Sequence, residues 1–263
     1  MAVNVKVDKE KKLITISDTG IGMTAEEVRK YINQVAFSGA TEFMKQFEDK
    51  KPEEQNDIIG HFGLGFYSVF MVSDKVEIQT LSSEGEADPV HWVSTDGMGF
   101  ELSGGKRKAH GTDVILHISE EEKEFLEVWK VREILNRYCG YMSYPVMLED
   151  ANAKPVEKDV PVGDEKNEDG SPKTEKVLEV PKPQQVNDTA PLWLKKPSDC
   201  TDDEYKSFYR KVFMDFEEPL FWIHLNVDYP FNLKDDYHME HVQYLLKRRS
   251  AHSVRSFAVP LQR

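Results

Sequence analysis

The chain has 263 residues, 39% of them hydrophobic and 31% charged, with a formal net charge of −13. That length supports one large domain or two of ordinary size. The acidic balance excludes a general nucleic-acid binder, whose phosphate partner demands a basic face, but allows a nucleotide, which needs only a local nest of donors. Cys139 and Cys200 fit no metal spacing and no disulfide framework, which points to a reducing compartment. No apolar run approaches the ~18 residues of a membrane span, and the valine-alternating N-terminus does not read as a signal peptide. The expected localisation is cytoplasmic, with neither nucleic acid nor membrane as partner.

Val3, Val5 and Val7 alternate with polar residues, residues 8–12 supply a turn, and residues 13–17 follow, so the chain opens on a β-hairpin. Thr24-Ala25-Glu26-Glu27 is a capping box. Val28, Tyr31, Ile32 and Val35 then fall at helical spacing, which predicts a helix with one buried face. Residues 38–59 are polar and charged, and residues 65–72 read as the start of another helix. Strand-like runs follow at 76–81, 90–94, 99–102 and 112–118. Residues 119–122 form a second capping box, predicting a long helix whose core face holds Phe125, Leu126, Trp129, Ile134, Leu135 and Tyr138. Residues 1–150 thus read as an α+β domain, a two-layer α/β sandwich with helices on one face of a mostly antiparallel sheet.

Composition changes near residue 150. Residues 151–190 read as a charged linker with one strand candidate at 177–180. A second folded segment occupies 191–234, with a helix from Thr201 carrying Tyr205, Phe208, Tyr209, Val212 and Phe213 as a core stripe, and a strand at 221–227. Residues 235–263 form a basic tail with Lys247, Arg248, Arg249, Arg255 and Arg263; the cluster at 247–249 reads as solvated charge at a helix end. His238, His241 and His252 in that tail read as exposed histidines, and no metal site is assigned to them.

Two glycine motifs carry the chemistry. Asp18-Thr19-Gly20-Ile21-Gly22-Met23 sets one carboxylate beside two glycines at a strand end, and Gly60-His61-Phe62-Gly63-Leu64-Gly65-Phe66-Tyr67-Ser68 sets three glycines ahead of an apolar run. The carboxylate can accept from an exocyclic amine, and the glycines let backbone N–H groups approach phosphates. Gly111-Thr112 opens a strand from which the hydroxyl could reach the same base. Each signal alone is weak, since Asp-Thr-Gly at a strand end is often only a turn. The glycine order reverses the dinucleotide fingerprint and no Gly-Lys-Ser/Thr follows, which excludes both standard nucleotide motifs.

Taken in order, these motifs resemble the heat-shock protein 90 chaperone family, of the bacterial HtpG type. The resemblance runs through Asp18 to Met23, Ser38-Gly39, Ile59 to Ser68, Gly111-Thr112, Trp129 to Pro145, Asn187 to Trp193 and the helix from Thr201, and ends near Lys234. Gyrase-type topoisomerases, mismatch-repair proteins and histidine kinases share an Asp-x-Gly-x-Gly and a glycine-rich lid, but not Phe66-Tyr67-Ser68 or the Trp193 segment. The resemblance implies the sandwich of that ATPase superfamily over 1–150 and the start of an α/β middle domain over 191–234. It implies ATP or ADP as ligand: Asp18 accepting the adenine amino group, Gly22 and Thr112 helping through water, Met23 packing on the base, and Gly63, Gly65 and Phe66 offering backbone N–H groups to the phosphates. It also implies a lid over about 33–65, unfolded or partly folded client proteins as partners, and a homodimer and magnesium in the intact family.

The chain departs from the family's pattern at named places. Tyr31 and Phe37 stand where many relatives carry Asn and Lys near the nucleotide. In the family, a helix ahead of the Asp-x-Gly-x-Gly strand carries a glutamate that orients water and an asparagine that holds magnesium. No Glu-x-x-x-Asn lies ahead of Asp18, and Asp8 and Glu10 fall in the predicted turn, so no catalytic residue and no metal ligand is assigned. The expectation is a truncated chain with a partial ATP-binding domain and without most of the middle and the C-terminal dimerising domain. Two functions compete: an adenine-nucleotide-binding fragment of an ATP-dependent chaperone, and an inactive or partly folded remnant acting as a protein-interaction module. A gyrase-like or kinase-like relative is disfavoured by the acidic charge and by Phe66-Tyr67-Ser68.

Overall fold

The N-terminal valine alternation becomes β1 (Val3–Asp8), which turns back antiparallel into β2 (Leu13–Asp18). The computed structural model describes residues 1–33, 65–97, 99–166, 172–213, 215–219, 221–225, 228–229, 239–240, 243–250 and 253–258. They fall into two units, divided between Asp188 and Thr189. Val35, Phe37, residues 38–59, the motif residues 60–64, and His238, His241 and His252 lie outside the described residues.

In the first unit the strands continue as β3 (Ser73–Leu81), β4 (Val90–Ser94), β5 (Glu101–Gly104), β6 (Gly111–Ile118), β7 (Val146–Asp150), β8 (Val156–Lys166), β9 (Pro172–Glu179) and β10 (Gln184–Gln185). Eight of them form one mixed sheet in the order β10-β7-β1-β2-β6-β3-β4-β5. Among the described strands of this sheet only β1 and β7 pair in parallel. Register fixes the two faces, because side chains alternate along a strand. Val5 faces Ile16 and Leu148, Ile14 faces Leu116, and Ile78 faces both Val114 and Trp92. These residues are the core of the unit or pack against it. The helical segments pack on this same face: α1 (Ala25–Glu27) with a π turn over Val28–Ile32, 3-10 turns over Gly65–Met71 and Lys123–Leu126, and α2 (Val128–Cys139). The opposite face carries ion pairs, among them Lys6–Glu149, Lys75–Glu77 and Arg107–Asp113. The expected α+β sandwich is therefore present.

Several elements differ from expectation. The Thr24 capping box forms, with Glu27 N donating to Thr24 Oγ1 at 3.3 Å and Thr24 N to Glu27 Oε2 at 2.7 Å. The helix then loosens into the π turn, whose end is held from outside: the Tyr67 hydroxyl donates to the Ile32 carbonyl at 2.6 Å and Trp92 Nε1 to Asn33 Oδ1 at 2.8 Å. The helix expected from residue 65 is a 3-10 turn, cut short because β3 begins at Ser73. The residue 119–122 box does not start the long helix. A 3-10 turn intervenes and Glu127 is extended (φ −85, ψ 117), so α2 starts afresh at Val128. That restart rotates the face. Val128, Val131, Leu135 and Cys139 turn to the core, whereas Trp129 and Tyr138, expected there, are 64% and 60% exposed.

Residues 156–179, expected in a linker with one strand at 177–180, form the separate two-stranded hairpin β8–β9. After it, β10 returns to the main sheet, and buried Asn187 fastens the turn before β7. Its Oδ1 accepts from Val146 N at 2.8 Å, and its Nδ2 donates to the carbonyls of Met142 and Tyr144, each at 2.8 Å.

The second unit holds 3-10 turns at Leu192–Leu194 and Pro197–Asp199, helix α3 (Asp202–Phe213), and strands β11 (Trp222–Leu225), β12 (Asp228–Tyr229), β13 (Met239–Glu240), β14 (Gln243–Ser250) and β15 (Ser253–Ala258). Tyr205, Phe208 and Tyr209 of the aromatic stripe are buried. Lys247, Arg248 and Arg249, read as a helix end, lie instead in β14, which pairs with β11 and β15. Among the described residues no helix is long and apolar enough to cross a membrane.

Candidate functional site

Three adjacent strands end on one polar row. Asp18 closes β2 with the parity of Ile14 and Ile16, so it stands on the core face. Beside it on β6, Thr112 donates its backbone N–H to Asp18 Oδ1 at 3.3 Å. Beside that on β3, Thr80 is the direct cross-strand partner of Thr112. Carboxylate, hydroxyl and hydroxyl thus follow one another across β2, β6 and β3 where the apolar rows run out. Thr80 is fully buried and Thr112 nearly so, while Asp18 is half-buried.

The loop after β2 is built around this row. Asp18 Oδ1 also accepts from Gly20 N at 2.7 Å, an Asx-type turn that leaves Oδ2 without a hydrogen bond among the described residues. Met23 N donates to Thr80 Oγ1 at 2.9 Å, and Ser83 N to the Ile21 carbonyl at 2.7 Å, tying the loop to the end of β3. Arg107 Nη2 donates to the Asp18 carbonyl at 2.7 Å while its other nitrogen pairs with Asp113. His110 Nδ1 lies 2.7 Å from the Gly20 carbonyl, an acceptor, so that nitrogen carries the proton. A cavity of about 410 Å³ opens alongside, lined by Met1, Thr19, Gly20, Ile21, Ser83 and His110.

Of the residues singled out from sequence, Asp18, Gly22, Met23 and Thr112 come together here. Gly65 and Phe66 open the 3-10 turn; Phe66 packs edge-on to Trp92 with ring centroids 5.7 Å apart, and among the described residues no hydrogen bond joins either one to the Asp18 row. Gly63 lies outside the described residues. Sequence reasoning missed Thr80. The signal was the alternation Val76, Ile78, Thr80, which carries a hydroxyl onto the core face at its last step.

The acids ahead of Asp18 have other work. Burial pushes the Asp8 carboxyl up, but hydrogen bonds from Lys11 and Asn152 outweigh that and hold it below its usual range. It braces the β1–β2 turn, and Glu10 there is exposed. Among the described residues no group of three His, Cys, Asp or Glu is placed to hold a metal. The row holds a single carboxylate, whose Oδ1 is taken by the Gly20 and Thr112 amides, and two hydroxyls hydrogen-bonded to each other. That set suits a base rather than magnesium, which takes near-octahedral oxygen coordination.

Residues 1–96 match the model for the histidine kinase-, DNA gyrase B- and HSP90-like ATPase, and residues 124–235 match that for the Hsp90 protein. The chain belongs to the Hsp90 family. It is 44% identical over 233 residues to the Chaperone protein HtpG of Porphyromonas gingivalis, covering 89% of this chain and 31% of that protein. The HtpG of Bacteroides thetaiotaomicron is 45% identical over 232 residues, 88% of this chain and 31% of its own length. That of Colwellia psychrerythraea is 37% identical over 230 residues, 87% and 35%. The chain spans about a third of the length of the curated relatives it matches. Within the Hsp90 family frame, the ATPase match takes in Asp18, Gly22, Met23 and Thr80, and Thr112 falls between the two matched stretches.

Proposed function

We propose that this chain binds an adenine nucleotide, ATP or ADP, at the Asp18 row, as the nucleotide-binding part of an ATP-dependent chaperone that assists the folding of client proteins. One observation carries the reading: a carboxylate and two hydroxyls stand in register across three strands at the end of an apolar face. Buried polar groups cost free energy unless they are partnered, and this row keeps an acceptor in reserve at Asp18 Oδ2. That oxygen suits the exocyclic amine of adenine, with Met23 at the apolar border to pack on the ring. Gly65 and Phe66, with Gly63, would offer N–H groups to the phosphates, and a Cβ at Gly65 would meet nothing within 4 Å, so the backbone there is open to approach.

Unfolded or partly folded proteins as clients, a homodimeric intact protein and a cytoplasmic location belong to the same proposal, supported by relatives named as chaperones. No hydrolytic step is assigned, because Asp8 braces the β1–β2 turn, Glu10 in that turn is exposed, and the Asp18 row does not suit magnesium.

Titration calorimetry of ADP into the parent chain and Asp18→Asn tests this. Asparagine can keep its oxygen on the Gly20 and Thr112 amides, which turns its NH2 toward the ligand's amine, donor against donor. The parent binds, and the variant loses about tenfold or more in affinity, since an opposed pair costs at least ~1.4 kcal/mol. Equal affinity in the two proteins overturns the site. A folded parent that binds no nucleotide shifts the assignment to a protein-interaction module.

A further inference from the structure

We infer that Thr80 fixes the hydrogen-bond polarity of Thr112, and so decides which chemical group the site reads on the base. The inference rests on the nucleotide reading above. A hydroxyl has one proton and two lone pairs. Thr80 Oγ1 has three neighbours: Met23 N at 2.9 Å, Thr112 Oγ1 at 3.0 Å and the Gly111 carbonyl at 3.2 Å. Met23 N–H can only donate, and takes one lone pair. The Gly111 carbonyl can only accept, and takes the proton. Thr112 must then donate into the remaining lone pair. This arrangement uses every valence of a fully buried hydroxyl, and the alternative leaves a lone pair idle and the Gly111 carbonyl without this donor.

The consequence reaches the ligand. With its proton turned inward to Thr80, the Thr112 hydroxyl presents only lone pairs outward. Asp18 Oδ2 beside it is also an acceptor. The edge formed by the two accepts twice, so it suits a ligand group that donates, an amine, and disfavours one that accepts, a carbonyl. Thr80 itself touches no ligand. It is a positioning residue that selects between 6-amino and 6-oxo purines through Thr112.

The test compares ADP with inosine diphosphate, which carries a carbonyl where ADP carries the amine, by calorimetry on the parent, Thr80→Val and Thr80→Ser. Valine keeps the shape and frees the Thr112 proton to turn outward. The ADP preference of the parent narrows about tenfold in Thr80→Val, and serine restores it to within about twofold. An equal loss for both nucleotides, with the ratio unchanged, overturns the inference and leaves Thr80 a packing residue. Thr112→Val reads the same polarity without touching Thr80, and decides the matter if Thr80→Val does not fold. ADP affinity falls about tenfold and inosine diphosphate affinity hardly moves; the reverse pattern overturns the inference. Absence of ADP binding by the parent removes the nucleotide reading and this inference together, whereas ADP binding with an unchanged ratio removes this inference alone.

Discussion

Gly22 passes so close to β3 that a Cβ on it would lie 1.8 Å from the Leu81 carbonyl oxygen, and its φ is +65. Neither conflict can be relieved by a side-chain rotation, because the obstacle is backbone. Gly22→Ala must therefore push the loop away from β3 and pull the Met23 amide from Thr80. The expected cost is ~2–4 kcal/mol, combining left-handed backbone strain with a lost buried hydrogen bond, and nucleotide affinity falls with it. Gly65→Ala is the control, since its Cβ meets nothing within 4 Å; its stability should stay within ~1 kcal/mol of the parent. Urea denaturation of the two variants checks both, and similar midpoints would contradict the close approach.

The restart of α2 at Val128 makes a second prediction, which separates two registers of the same helix. Val131 is 7% exposed and belongs to the core, whereas Trp129 is 64% exposed. Val131→Ala should cost ~1–3 kcal/mol from lost burial and a residual cavity, and Trp129→Ala should stay within ~0.5 kcal/mol despite removing far more surface. Thermal unfolding ranks them directly. A larger loss for Trp129→Ala would favour one continuous helix from residue 120.

What could be read in the sequence was local. The valine alternation in β1 and the Thr24 box depend on residues within one strand or one turn, and the loop residues Asp18, Gly22 and Met23 are contiguous. Thr80 was hidden because its meaning is its register with Thr112, 32 positions away, and a lone threonine in a strand is ordinary. The break at Glu127 was hidden because Phe125, Leu126 and Trp129 happen to continue a helical spacing across it. The hairpin β8–β9 was hidden for a further reason. Its charged residues suggest a linker, yet charges pair across strands, as Lys176 does with Glu157 at 2.8 Å.

Glu77 supplies the last prediction, from the face of the sheet opposite the site. Its carboxylate receives His117 Nε2 at 2.7 Å from β6, His91 Nε2 at 2.8 Å from β4 and Lys75 Nζ at 2.8 Å from its own strand. Burial pushes the carboxyl up, but these hydrogen bonds and the Lys75 charge prevail and bring it from 4.5 to about 2. A carboxyl depressed on folding contributes stability that is complete above its unfolded value and is lost as pH falls through its folded one. The window is therefore pH 4.5 down to about 2. At ~1.4 kcal/mol per unit the shift corresponds to at most about 3.5 kcal/mol. Glu77→Gln removes this dependence. The variant should be less stable than the parent near neutrality by ~1–3 kcal/mol, and the two stability curves should converge as pH approaches 2. Parallel curves in urea titrations across that range would show that Glu77 is not held by its three partners. The same cluster spans β4, β3 and β6 directly behind Ile78. Its loss would also loosen the β3–β6 register on which the Thr80–Thr112 contact depends, so ADP affinity in Glu77→Gln should fall even though the mutated side chain faces away from the site.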